Sequence, residues 1–286
     1  MPREVANWAR RGAQFPIWQQ TPARQKPTKN FANQCPDAKR AAKCQACREV
    51  AHNGILWESL PVPAFGNVCS TKVKVATIAI NPAANEFFVG NDAKSREARL
   101  PLLGDYCKQN RRDLESNDLR DAQERRDLYF CTAEGVRRAF YHPWFDPLEL
   151  ILRGMNPDWS YFNGTAVHID VVACATKSAW RTLPHRAKEI LQQNCHADFR
   201  RTLSELPSGT VLLSNGVQPQ DIPVSVDELQ TVDVPPRLRV WRGRVSLNKL
   251  SFAFLGWSVT AKHLTLVQKE FLVAAEVTGF AWLSGE

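Results

Sequence analysis

The sequence lacks the short signatures of several large enzyme classes. It has no GxxxxGK[ST] phosphate loop, no GxGxxG turn, no HExxH and no GxSxG. Nucleotide hydrolysis, dinucleotide redox chemistry, zinc proteolysis and serine-hydrolase chemistry therefore lose their usual sequence support. It has no apolar run of ~18 residues, so no transmembrane helix is expected. The opening MPREVANWARRGAQF has no apolar stretch of secretory length, which argues against export. Internal repeats and low-complexity tracts are absent as well.

What is present is an ordinary globular composition, 44% hydrophobic and 23% charged over 286 residues. That is enough for one large or two small domains. Lys and Arg number 37 against 29 Asp and Glu, a formal charge of +8, which points to a polyanionic partner or to simple solubility. Many of the cations fall in residues 1–45, among them Arg3, Arg10, Arg11, Arg24, Lys26, Lys29 and Arg40. This stretch reads as a basic N-terminal arm or as padding, with residues 46–286 forming the main domain. The eight cysteines, without an export signal, read as reduced thiols in a cytoplasm.

Strand-like and helix-like segments alternate. Buried strands are expected at Val73–Ile80, Ala166–Cys174, Thr210–Ser214 and Ser251–Leu255, with Leu238–Leu247 as a hairpin arm. Helices are expected over 111–140, over Phe145–Arg153 with Asp146 as N-cap and Pro147 at N1, over Lys188–Leu206 and over Thr265–Thr278. The order implies an α/β fold, a three-layer sandwich around a largely parallel sheet. Ligands of such sheets bind beyond the carboxyl ends of the strands. The segments there are Asn81–Phe87, Asp170–Lys177, Asn215–Gly216 and Gly256–His263. Each has a plain structural reading: Asn-Pro as a turn, Asn-Gly as a strand exit, His168 and Asp170 as a hydrogen-bonded core pair.

Taken together, the four segments resemble the uracil-DNA glycosylase superfamily. Ala79-Ile-Asn-Pro-Ala-Ala-Asn-Glu-Phe87 resembles its first motif, and Val167-His-Ile-Asp-Val-Val-Ala-Cys-Ala-Thr-Lys177 with the residues up to Pro184 resembles its middle region. Leu212–Gly216 resembles the next strand, and Gly256–His263 stands where the second motif belongs, as Thr-Ala-Lys-His rather than His-Pro-Ser. The resemblance spans roughly residues 50–280. It implies a four-stranded, largely parallel sheet, DNA as partner, no membrane, a monomer, and base excision without a chemical cofactor. The target nucleotide is flipped out, its N-glycosidic bond is hydrolysed and an abasic site remains.

On that resemblance Asn81 positions the attacking water and His263 stabilises the leaving base, while Lys262 and Lys177 grip phosphate. An Asn takes no proton, so it orients water rather than acting as a strong base. Asp170 stands where one branch carries a uracil-reading Asn. A carboxylate has no donor for uracil O4 and accepts instead from the cytosine amine; the other reading is a buried Asp networked with His168. Ala83 occupies a position held in some members by a bulky Tyr, and so leaves room for a C5 substituent. Phe87, Phe88, Trp144, Phe145 and Asn215 are candidate base contacts. The resemblance extends to phage-defence glycosylases that remove glucosylated hydroxymethylcytosine; an ordinary repair enzyme acting on uracil, or a non-catalytic DNA-binding relative, are the alternatives.

Cys44-Gln-Ala-Cys47 with Cys174 and Cys195 offers four thiolates for an iron–sulfur cluster or zinc. The 174-to-195 spacing and the additional Cys35 and Cys69 favour buried thiols instead, so no metal is expected.

Overall fold

The computed structural model describes residues 54–56, 59–89, 97–100, 116–130, 140–234, 237–270 and 272. The basic arm, with Cys44 and Cys47, lies outside them.

Apolar, β-branched runs bounded by Pro, Asn and Gly form the centre of the fold. In chain order the elements are β1 (Ala64–Phe65), β2 (Val75–Ala79), the short helix α1 (Ala84–Phe87), β3 (Phe88–Val89), β4 (Glu97–Ala98), α2 (Ser116–Asp127), α3 (His142–Met155) and β5 (Ala166–Asp170). They continue with α4 (His185–Ser204), β6 (Val211–Asn215), β7 (Val226–Val234), β8 (Leu238–Leu247) and β9 (Leu250–Trp257). A seven-stranded sheet runs in the order β1-β5-β2-β6-β9-β8-β7, and β3 pairs with β4 separately. The expected four-stranded, largely parallel sheet is therefore corrected to a mixed seven-stranded one. Its middle is parallel: β2 pairs with β5 and β6, and β6 with β9. Antiparallel strands extend both sides, β1 on β5, and β8 on β9 followed by β7 on β8. The sequence of β7 hides it, because nearly every residue from Asp227 to Asp233 is exposed and no apolar alternation marks it.

Strand period assigns the two faces. Ala76, Ile78, Val167, Ile169 and Leu212 pack with Leu191, Cys195, Phe199 and Leu203 of α4. Val75, Ala166, Leu213 and Leu255 pack with Phe145, Leu148, Ile151 and Leu152 of α3. Thr77, His168 and Asp170 share the strand phase of Val75 and Ala166, so they point to the α3 side of the sheet. The helix α3 begins earlier than expected. Tyr141 is its N-cap, Pro143 falls in the first turn and Pro147 lies inside. Asp146 is not the cap because its carboxylate faces His142 Nδ1 one turn back, at 3.2 Å. Of the expected helix over 111–140, residues 116–127 are helical; of that over 265–278, residues 266–270 are helical and most of the remainder lies outside the described residues. Among the described residues no helix is long and apolar enough to cross a membrane.

Candidate active site

The carboxyl ends of β2, β5, β6 and β9 lie along one edge of the parallel block, and every loop singled out in the sequence leaves from there. The first loop is fixed through Thr176. The Thr176 hydroxyl accepts from Asn81 Nδ2 at 3.0 Å, its amide donates to Pro82 O at 3.2 Å, and its carbonyl accepts from Ala84 N at 3.1 Å. Asn81 Nδ2 also donates to Pro82 O at 2.8 Å. A proline carbonyl only accepts, so the nitrogen of the Asn81 amide faces it. The side-chain oxygen of Asn81 has no hydrogen bond among the described residues and is an available acceptor.

Ala83 is exposed and its backbone amide donates to Glu86 Oε2, closing α1 at its start. Glu86 itself is buried at 3% exposure. Tyr129 ties this turn to α3: its hydroxyl donates to Glu86 O at 3.3 Å and accepts from Tyr141 N at 3.2 Å. Burial first, and the neighbouring Asp170 second, push the Glu86 carboxyl from 4.5 up to about 8.

The centre of the site is the pair His168 and Asp170, two residues apart on β5 and 0% and 1% exposed. His168 Nε2 stands 3.7 Å from Asp170 Oδ1, too long for a hydrogen bond. Among the described residues neither of these atoms, nor Asp170 Oδ2, has a hydrogen-bond partner, and the buried indole Nε1 of Trp144 has none either. Each such atom costs about 1–3 kcal/mol of desolvation, a cost that a polar ligand would offset. The Trp144 ring lies edge-on to His168 with centroids 6.5 Å apart. Burial lowers the His168 imidazole to about 4, opposed by Glu86. Burial alone raises the Asp170 carboxyl well above its ordinary value. Burial thus favours the uncharged form of all three side chains. In its protonated form the Asp170 carboxyl both donates and accepts.

Lys262 and His263 are exposed on the 3₁₀ turn Ala261–His263 after β9. Asn215 holds that turn. Its Oδ1 accepts from Ala261 N at 2.7 Å and from Trp257 Nε1 at 3.2 Å. Gly216 makes the approach possible, since its φ is +77° and a Cβ there would fall 2.8 Å from Thr260 Cγ2. Lys262 Nζ reaches 5.9 Å from the centre of the Trp144 ring, linking the turn through Trp144 to His168. Lys177 is exposed immediately after Thr176.

Two aromatic expectations change. Phe87 and Phe145 are 0% exposed. Phe145 packs edge-on against His168, Phe130 and Tyr161, so both rings sit in the core. Asn215, 2% exposed, positions the turn through its Oδ1, while its Nδ2 is buried with no hydrogen-bond partner among the described residues. Phe88 and Trp144 retain partial exposure. Cys174 and Cys195 belong to the apolar cluster under α4, and among the described residues no group of His, Cys, Asp and Glu is arranged to hold a metal ion. Sequence reasoning passed over Glu86, Thr77, Tyr161 and Thr176. A Thr inside the apolar run of β2, and a Glu between Asn85 and Phe87, were the available signals. No protein-family model, curated protein or solved structure matches the chain.

Proposed function

We propose that the protein is a DNA glycosylase related to the uracil-DNA glycosylase superfamily. It hydrolyses the N-glycosidic bond of a flipped-out, C5-modified cytosine, such as the glucosylated hydroxymethylcytosine of phage DNA, and leaves an abasic site. One observation carries the reading: among the described residues, Asp170 at the carboxyl end of the parallel strand β5, His168 two residues before it and Trp144 of α3 hold four buried, unpartnered polar atoms, close to the edge where α/β sheets bind ligands.

In this reaction the C1′–N1 bond breaks and its electron pair stays on the base. Water adds to C1′, and its proton ends on the released base. Asn81 supports the water step, because its nitrogen is engaged by Pro82 and Thr176 and its oxygen is open to accept from water. It takes no proton; its contribution is orientation and the stabilisation of positive charge at the sugar. Lys262 and His263, exposed beside Trp144, supply compensating charge and hydrogen bonds to the departing base or its phosphate.

A neutral Asp170 donates to cytosine N3 and accepts from the N4 amine. The exposed Ala83 leaves space near C5. Leu266 and Val267, 65% and 69% exposed just beyond His263, supply an aliphatic wedge of the kind that props open a base step. The +8 charge suits a polyanion. A second reading, uracil excision, draws on the same neutral carboxyl, which also accepts from N3–H and donates to O4.

Duplexes carrying uracil, cytosine or glucosylated hydroxymethylcytosine, incubated with protein and then cleaved with alkali, test the proposal. Strand scission at the modified cytosine supports it. Scission only at uracil gives the second reading, and folded protein that produces none on any substrate overturns both.

A further inference from the structure

The hydrogen bonds behind His168 form a chain. Tyr161 is buried, and among the described residues its hydroxyl has a single partner, Thr77 Oγ1 at 2.6 Å. The phenol proton has nowhere else to go, so Tyr161 donates to Thr77. Thr77 Oγ1 then has its own proton to place. His168 Nδ1 is 2.7 Å away, whereas the other acceptor in reach, Val167 O, is at 3.4 Å. Given to the shorter contact, the proton makes Nδ1 the acceptor of a neutral imidazole and puts the ring proton on Nε2; given to Val167 O, it leaves Nδ1 the donor to Thr77. Nε2 is the atom that faces Asp170 Oδ1. Glu149 steadies the start of this relay, its carboxylate accepting from Ser160 Oγ at 2.6 Å and from Tyr161 N at 3.1 Å. The register of β2 against β5 sets Thr77 opposite His168.

We propose that His168 is a specificity-determining positioning residue: the Tyr161–Thr77 relay holds it as the Nε2–H tautomer aimed at Asp170 Oδ1, which keeps Oδ1 an acceptor and makes Oδ2 the oxygen that presents the acid proton to the bound base. This inference rests on the glycosylase reading. A carboxyl free to move its proton between two oxygens matches the edge of cytosine and the edge of uracil equally. In a fixed pose, the oxygen facing N3 must donate to a cytosine but accept from a uracil, and the oxygen facing the C4 substituent must do the reverse. Fixing the proton on Oδ2 removes that freedom, so one pyrimidine edge is accepted and the other meets donor against donor and acceptor against acceptor. With Oδ2 facing N3 the accepted edge is that of cytosine, and with Oδ2 facing the C4 substituent it is that of uracil.

The test combines nitrogen NMR of the His168 ring with competing excision of cytosine-type and uracil-type bases. Wild-type protein is expected to show Nε2 protonated and Nδ1 bare. Thr77→Val with Tyr161→Phe removes the relay without leaving a buried hydroxyl unpaired. In that double variant the tautomers mix and the ratio of the two excision rates falls by ~10-fold or more, the scale of one well-placed polar pair. Thr77→Ser keeps the hydroxyl and retains both the tautomer and the ratio. A wild-type ring protonated on Nδ1 overturns the inference whatever the protein excises. A ratio unchanged in the double variant overturns it while leaving the glycosylase reading intact. Wild-type protein that excises neither base removes that reading, and the inference with it.

Discussion

Asn81 and Thr176, 95 residues apart in sequence, are joined by a hydrogen bond of 3.0 Å from the Asn81 amide nitrogen to the Thr176 hydroxyl. That bond and the one to Pro82 O fix which end of the amide faces outward. The water-orienting part of the proposed mechanism depends on this polarity more than on the presence of an Asn.

Asn81→Ala is expected to lower base excision by ~10²-fold or more, the usual cost of an oriented polar group at a reacting centre, while DNA binding persists. Thr176→Val removes one of the two hydrogen bonds of the Asn81 amide and leaves the one to Pro82 O, and should give a smaller loss of the same kind. Single-turnover rates beside binding isotherms measure both. Near-normal excision by folded Asn81→Ala would remove Asn81 from the chemistry.

Glu86 gives the fold a pH dependence of definite sign. Burial, reinforced by Asp170, moves its carboxyl from 4.5 to about 8. Between those values the folded protein holds a proton that the unfolded chain has released, so stability falls as pH rises through the window. His168 acts the other way lower down: burial takes it from 6.5 to about 4, and stability grows as pH rises across that interval. The two offset one another below pH 6.5. From 6.5 to 8 the decline due to Glu86 is not offset by His168 and is worth about 2 kcal/mol at ~1.36 kcal/mol per pH unit. Urea denaturation at the two pH values measures the slope, and Glu86→Gln should remove the share due to Glu86. Stability that is flat or rising over this range contradicts the assignment.

Asp170→Asn replaces a carboxyl whose proton can move with an amide whose donor is fixed on nitrogen. It should shift preference toward uracil by ~10- to 100-fold, the ~1–3 kcal/mol of a bidentate polar pair. Ala83 is exposed in extended backbone, with φ −91° and ψ 159°, so Ala83→Tyr is compatible with the loop. That variant should block bases with a bulky C5 group and spare those without one. Release of uracil, cytosine and glucosylated hydroxymethylcytosine by the three proteins decides both points; wild-type protein that releases uracil alone, unchanged in Asp170→Asn, would leave Asp170 a purely structural residue.

DNA affinity should fall steeply with salt, in proportion to the phosphates neutralised. The basic residues concentrated in the first 45 positions are expected to supply part of that slope. Deleting residues 1–40 should flatten the logarithmic dependence of affinity on salt. An identical slope in the truncated protein would mean that the arm does not touch DNA.

Much of this protein is legible in its sequence because the relevant signals are local. The apolar runs at β2, β5, β6 and β9, closed by Asn-Pro, by Asp170, by Asn-Gly and by Gly-Trp, mark buried parallel strands and the edge where their loops converge. Composition and charge are local sums of the same kind. Three things were decided only by tertiary structure. The strand β7, exposed along nearly its whole length, exists because β8 pairs with it, which no pattern within residues 226–234 announces. Phe87 and Phe145 became core because α1 and α3 press them under the sheet, whereas an aromatic side chain reads the same in sequence whether it lines a pocket or fills one. The shifts of Glu86, His168 and Asp170 toward their uncharged forms come from their removal from water, with Asp170 adding to that of Glu86. Desolvation and Coulomb interaction are properties of neighbours in space, and the strand register that sets Thr77 opposite His168, with Tyr161 against Thr77, brings together groups that lie 84 and 91 residues apart along the chain.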